Sequence, residues 1–119
     1  TGSPFLEFMY VDDLANACVF LMNSVDFTDL KVLHHEPSAD IKNTHINIGT
    51  GQDLTITELA DLIKNIIGFK GQLKWDNSKP DGTYRKLLDV SKINRLGWEK
   101  KISLEEGLKM IYLTHIAKH

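Results

Sequence analysis

The stretch Thr55-Ile56-Thr57-Glu58 constrains the fold most strongly. A hydroxyl side chain followed three residues later by a carboxylate can satisfy backbone donors at both positions, which makes a reciprocal cap for a helix N-terminus. Leu59, Leu62, Ile63, Ile66 and Ile67 then recur at helical spacing until Gly68, a residue suited to ending a helix in the left-handed conformation. The same logic applies at Ser103-Leu104-Glu105-Glu106, which opens a helix with Leu104, Leu108, Ile111 and Tyr112 on one face. Two amphipathic helices are therefore set by local chemistry, and each needs something apolar to pack against.

The remaining elements follow from shorter signals. Phe8 to Val11 reads as a strand, and Asp12-Asp13 as the N-cap and first-turn carboxylate of a helix presenting Leu14, Cys18, Leu21 and Met22 on one face. From about Asn23 to Asn43 the pattern becomes polar and is expected to form a long surface loop with at most one ordered turn. His34 and His35 in that loop diverge as neighbours, without cysteine or carboxylate at ligand spacing, and read as solvated side chains rather than metal ligands. His115 and His119 read as part of a frayed terminus. His45 to Gly49 and Gln72 to Trp75 are expected to be short strands, the first closed by Gly49-Thr50-Gly51. A short helix from Ser91 to Leu96, capped by Asp89 or Ser91 and stopped by Gly97, should bring Trp98 into the core.

These elements make a small α/β unit of short strands and about four helices, taken as one domain over residues 1–119. At 119 residues and 42% hydrophobic content, a core without disulfides is expected. Cys18, the only cysteine, lies in the run Ala17 to Met22 and reads as a buried small hydrophobe, in keeping with a reducing cytoplasm. No apolar run reaches the length of a membrane span. The opening Thr1-Gly2-Ser3-Pro4, with no methionine and running almost directly into a strand, gives the expectation of a cut chain lacking an amino-terminal part.

A formal net charge of −2 argues against a general nucleic-acid binder. The charge is unevenly spread, however: residues 79 to 101 carry seven basic side chains against three acidic ones. Such a segment is either a solvated basic face or a site for one small phosphorylated ligand. Ser78 to Lys86 has chemistry suited to the latter. Lys79, Arg85 and Lys86 can neutralise phosphate oxygens, Arg85 in bidentate fashion, and Asp81 can accept from sugar hydroxyls. An ordinary surface turn is the competing reading.

The chemistry of a complete reductase is missing. There is no glycine-rich turn long enough to hold a pyrophosphate, since Gly49-Thr50-Gly51 is short and the helix after it is capped by its own Thr55. None of Tyr10, Tyr84 or Tyr112 has lysine four residues on, and no Ser-His-Asp or Cys-His constellation is evident. No catalytic, cofactor-binding or metal-ligating residue is assigned in this chain.

Four runs in order, Phe8-Met9-Tyr10-Val11-Asp12-Asp13-Leu14-Ala15, His45 to Gly51, Ser78-Lys79-Pro80-Asp81-Gly82, and Leu87-Leu88-Asp89-Val90-Ser91 with Leu96-Gly97-Trp98, resemble the carboxy-terminal third of extended short-chain dehydrogenase/reductases acting on nucleotide sugars. Within that NAD-dependent epimerase/dehydratase superfamily, the Ser-Lys-Pro-Asp-Gly-Thr run followed by Arg-Lys-Leu-Leu-Asp-Val is similar to the GDP-L-fucose synthase family. The resemblance implies a cytoplasmic, NADPH-dependent enzyme that epimerises a GDP-4-keto-6-deoxy sugar at C3 and C5 and reduces C4. The cofactor and proton-transfer groups would belong to an amino-terminal Rossmann half absent here. This chain would be the substrate-binding part, inactive alone and partnered by its own Rossmann domain, in a family whose members are commonly dimers. The resemblance carries Asp81 to a sugar-nucleotide-binding position and Lys86 to a position near the diphosphate, with Arg85 and Lys79 as candidates by adjacency. Leu6 and Gln72 stand where the family usually has arginines. The loss of two guanidinium groups leaves room for another GDP-4-keto-6-deoxy sugar such as a heptose. A standalone module without catalysis is the alternative from another class.

Overall fold

The structure, a computed structural model, describes residues 1–34 and 43–117. Its centre is a three-stranded sheet of very short strands: β1 (Phe5–Glu7), β2 (Asp53–Thr55) and β3 (Arg85–Lys86), in the order β2-β1-β3. β1 pairs antiparallel with β2, Leu6 opposite Leu54, and parallel with β3, Leu6 beside Lys86. Among the described residues five helices accompany it: α1 (Val11–Ser24), α2 (Phe27–His34), α3 (Ile56–Ile67), α4 (Ser91–Arg95) and α5 (Leu104–Ile116). None is long and apolar enough to cross a membrane. The mixed α/β fold is as expected, with one helix more.

Both capping boxes form. The Thr55 hydroxyl accepts from the Glu58 N–H at 3.1 Å while the Glu58 carboxylate accepts from the Thr55 N–H at 2.7 Å, and Ser103 and Glu106 repeat the arrangement. Gly68 ends α3 at φ 70°, where a β-carbon would be strained. The Asp89 carboxylate accepts from the Ser91 N–H at 2.9 Å at the start of α4. Trp98 is buried against Ala17 and Ile93, with Met9, Phe20, Leu21, Ile46, Ile48 and Val90 around them. On α5, Leu104, Leu108 and Tyr112 are half-buried, but Ile111 faces outward.

The strand expectations fail, for a common reason. Sheet pairing is supplied by partners distant in sequence, and it falls on residues 5–7, 53–55 and 85–86 rather than on 8–11, 45–49 or 72–75. The Tyr10 carbonyl already accepts from the Asp13 and Leu14 N–H groups, so the chain enters α1 where a strand was expected to end. Residues 45–49 are irregular: Ile46 and Ile48 pack inward, and the His45 carbonyl accepts from the Lys92 ammonium at 2.7 Å. Residues 72–75 lie exposed without strand pairing. The region 23–43 is more than a loop, since it contains α2 with Leu30 buried; residues 35–42 lie outside the described residues, as do His35 and His119 of the two histidine pairs.

α1 presents a different face from the expected one. Asp13 and Ala17 are buried and Leu21 is half-buried, whereas Leu14, Cys18 and Met22 are exposed, Met22 at 84%. The reason is polar. The Asp13 carboxylate accepts from the Lys101 and Ile102 N–H groups at 3.0 and 2.8 Å, and the Asn16 carbonyl oxygen accepts from the Trp98 indole N–H at 2.9 Å. Buried donors must be paired, and pairing them turns the stripe of Val11, Leu14, Cys18 and Met22 outward. Cys18 is therefore not the core residue expected.

The expected self-sufficient core is also small. Among the described residues only Pro4, Ala17, Leu30, Ile93 and Trp98 are buried apolar side chains. The radius of gyration is 18.5 Å, against about 13.5 Å for a compact domain of this length. The extents of 59 × 36 × 17 Å describe a slab.

Candidate functional site

Alternation along the strands divides the sheet into two faces. Side chains at successive positions point to opposite sides, and residues directly across a ladder share a side. Phe5, Glu7, Asp53, Thr55 and Arg85 thus share one face, while Leu6, Leu54 and Lys86 share the other.

The contacts agree with this division. Arg85 donates through Nε and Nη2 to the two carboxylate oxygens of Asp53, at 2.6 and 3.1 Å, and its guanidinium lies 5.5 Å from the centre of the Phe5 ring. The Asp53 carboxylate, through its hydrogen bonds and charge, raises the Arg85 pKa above its already high ordinary value. The fork geometry that suits a phosphate is occupied by an internal carboxylate. The adjacent Lys86 emerges on the opposite face beside Leu6, exposed and without a hydrogen-bonding or ionic partner among the described residues. Arg85 and Lys86, paired by adjacency in the sequence, are separated by the sheet.

On the Arg85 face, Glu7 forms the hub. Its Oε1 accepts from the N–H groups of Thr50 and Gly51, the latter at 2.7 Å, and from the Thr50 hydroxyl at 3.1 Å; its Oε2 accepts from the Leu88 N–H at 3.0 Å. The Gly49-Thr50-Gly51 turn does bind an anion, but the anion is this side chain. A β-carbon on Gly49 would fall 2.6 Å from Glu7 Oε1, so the approach requires glycine there. Neither this turn nor the self-capped α3 N-terminus offers the free amides of a pyrophosphate site.

The loop from Asp76 to Asp89 leading into and out of β3 is exposed throughout. Asp76 accepts from the Ser78 N–H at 2.9 Å, which sets the turn. Asp81 accepts from the Thr1 hydroxyl. Lys79 is exposed with no partner among the described residues, and Gln72 is exposed on the approach to the loop. The structure therefore brings Leu6 and Lys86 side by side, puts Arg85 behind them, and leaves Lys79, Asp81 and Gln72 on the surrounding segment. Glu7, Asp53 and Phe5 were not marked by the sequence. Only β alternation across a known register reveals them, and the register was not legible.

A 290 Å³ cavity lined by Phe8, Met9, Tyr10, Leu59, Ile63 and Leu108, among others, lies among the segment before α1, α3 and α5. It carries no titratable cluster. No group of three or more histidine, cysteine, aspartate or glutamate side chains that could hold a metal occurs among the described residues.

No family model matches the chain. It is 50% identical over 112 residues to GDP-L-fucose synthase 1 of Arabidopsis thaliana, covering 94% of this chain and 30% of that protein. It superposes with a TM-score of 0.90 on a GDP-6-OMe-4-keto-L-xylo-heptose reductase from C. jejuni, at 44% identity over 100% of this chain and 33% of the other. A GDP-mannoheptose C4 reductase from Campylobacter jejuni with NADP bound gives a TM-score of 0.80 at 45% identity, covering 98% of this chain and 33% of the other. The chain spans about a third of the length of each of these relatives. The order of its motifs agrees with this similarity to a GDP-L-fucose synthase and to GDP-heptose reductases.

Proposed function

We propose that residues 1–119 form the sugar-nucleotide-binding part of an NADP-dependent GDP-4-keto-6-deoxy-sugar reductase or epimerase-reductase. The observation that carries the reading is Lys86, an ammonium with no partner among the described residues, on the sheet face opposite the Arg85–Asp53 pair, at the foot of the exposed loop bearing Asp81. A lysine without an internal partner is available to a diphosphate; an arginine already held in bidentate fashion is not, unless Asp53 releases it. Lys86 accordingly binds the diphosphate and Asp81 accepts from a hydroxyl of the nucleotide or sugar, in exchange for its contact with Thr1. Lys79 contributes charge at the loop, and Arg85 holds β3 in place rather than touching the ligand.

Residues elsewhere in the full-length protein bind NADPH, which supplies the hydride. What this chain does is hold and orient the sugar nucleotide. The outward stripe of Val11, Leu14, Cys18 and Met22 on α1 is the surface on which the chain's own Rossmann domain packs, which accounts for apolar exposure in so open a slab.

Leu6 and Gln72 favour a second reading of the substrate. The Leu6 side chain is the neighbour of Lys86 on the binding face, so an arginine expected at this position would have placed a second cation beside it. Its absence, with the similarity to heptose reductases, makes a GDP-linked 4-keto heptose the alternative to the fucose precursor. Titration of the full-length protein with GDP tests the site. Lys86→Ala is expected to weaken binding about 10- to 100-fold, the loss of one charge-assisted contact; unchanged affinity overturns the assignment. Comparing turnover of the two sugars distinguishes the substrates.

A further inference from the structure

We infer that Glu7 is a positioning residue for ligand binding, one that fixes where Lys86 stands by tying the chain after β3 to the Gly-Thr-Gly turn. The inference rests on Lys86 being the diphosphate contact. Strand β3 is only two residues long and contacts the sheet along one edge. Two hydrogen bonds bracket it: Phe5 N–H to the Tyr84 carbonyl at 2.8 Å before it, and Leu88 N–H to Glu7 Oε2 at 3.0 Å after it. Glu7 points away from the Lys86 face, so it does not share the ligand's side of the sheet. It acts instead through the backbone two residues beyond Lys86.

The two carboxylate oxygens divide the work. Oε1 serves the Thr50 and Gly51 donors and Oε2 serves Leu88 alone. Glu7→Gln keeps the size of the side chain. With its carbonyl oxygen toward the glycine turn, it presents an NH₂ group to the Leu88 N–H, replacing an acceptor by a donor. The substitution therefore releases β3 while leaving the turn held. Gly49→Ala perturbs the same hub from the other side, by crowding Oε1 without removing the charge.

The test is GDP titration and backbone amide exchange on the full-length protein for the parent, Glu7→Gln, Gly49→Ala, Lys86→Ala and the Glu7→Gln/Lys86→Ala double variant. The expected result is faster exchange at Leu88 than at Thr50 and Gly51 in Glu7→Gln, with GDP binding about fivefold weaker, and weaker binding in Gly49→Ala. The double variant should bind no more weakly than Lys86→Ala alone, because Glu7 acts through Lys86. With the sugar nucleotide as substrate, the loss should appear in KM more than in kcat, which a general loss of folded protein would not produce. Parent-like GDP affinity in Glu7→Gln, or effects of Glu7→Gln and Lys86→Ala that multiply, would overturn the inference while leaving the site intact. Parent-like affinity in Lys86→Ala would instead overturn the site reading itself.

Discussion

Two regions of this chain use carboxylates to different ends. Around α1, α4 and Trp98, Asp13 is 3% exposed and spends its charge on two backbone N–H groups 88 and 89 residues away, beside a core of Ala17, Ile93 and Trp98. Around the sheet, Asp53 and Glu7 hold short strands together, and the residues beyond them, from Asp76 to Asp89, stay open to solvent. The first region is closed by its polar groups. The second is arranged by its polar groups so that Lys86 and Asp81 remain presented. Substitutions in the first should reduce stability, and those in the second should reduce ligand binding with less effect on folding.

Trp98→Ala should give the largest effect on the closed region. It removes the plug of the core and leaves Asn16 without its indole partner, at a cost of about 3–5 kcal/mol, read by chemical denaturation of the full-length protein. A cost below about 1 kcal/mol would show that this core does not hold the fold. Asp13→Ala comes next, at about 2–4 kcal/mol, because it leaves two N–H groups without their acceptor.

On the open side, Arg85→Lys breaks the bidentate pair with Asp53 while keeping charge. Since this pair is largely exposed on the arginine side, the expected loss of stability is small, and GDP affinity should change less than in Lys86→Ala. A loss of affinity equal to that of Lys86→Ala would place Arg85 in the ligand site and erase the distinction between the two sheet faces.

The helix caps should show the smallest effects, with Thr55→Ala and Ser103→Ala each costing about 1 kcal/mol. Their partner carboxylates, Glu58 and Glu106, have pKa values lowered by hydrogen bonds from Thr55 and Ser103. A group whose pKa is lowered on folding stabilises the fold above its unfolded value and loses that contribution as pH falls through the folded value. Helicity measured on acidification should therefore hold down to about pH 4.3, the ordinary glutamate range, and decline below it. Glu58→Gln with Glu106→Gln should flatten that decline.

What the sequence made legible was local. Both capping boxes, the Gly68 stop and the helix before Trp98 depend on residues within a few positions of one another, and all are present. The strands were misplaced because ladders of two or three residues are chosen by partners dozens of residues away. The face of α1 was misread because an apolar stripe gave way to two polar side chains whose partners lie more than eighty residues on. In the candidate site, charge and motif order single out the segment carrying Asp81, Arg85 and Lys86. They do not reveal the division between Arg85 and Lys86, since it follows from a register with Phe5 and Leu6.

In the proposed function the open region recognises the sugar nucleotide through Lys86 and Asp81. Calorimetric titration of the full-length protein with GDP, comparing the parent with the Lys86→Ala/Asp81→Ala double variant, tests it most directly. The account predicts folded protein with GDP affinity reduced by at least about tenfold; a folded double variant that binds GDP as the parent does would contradict it.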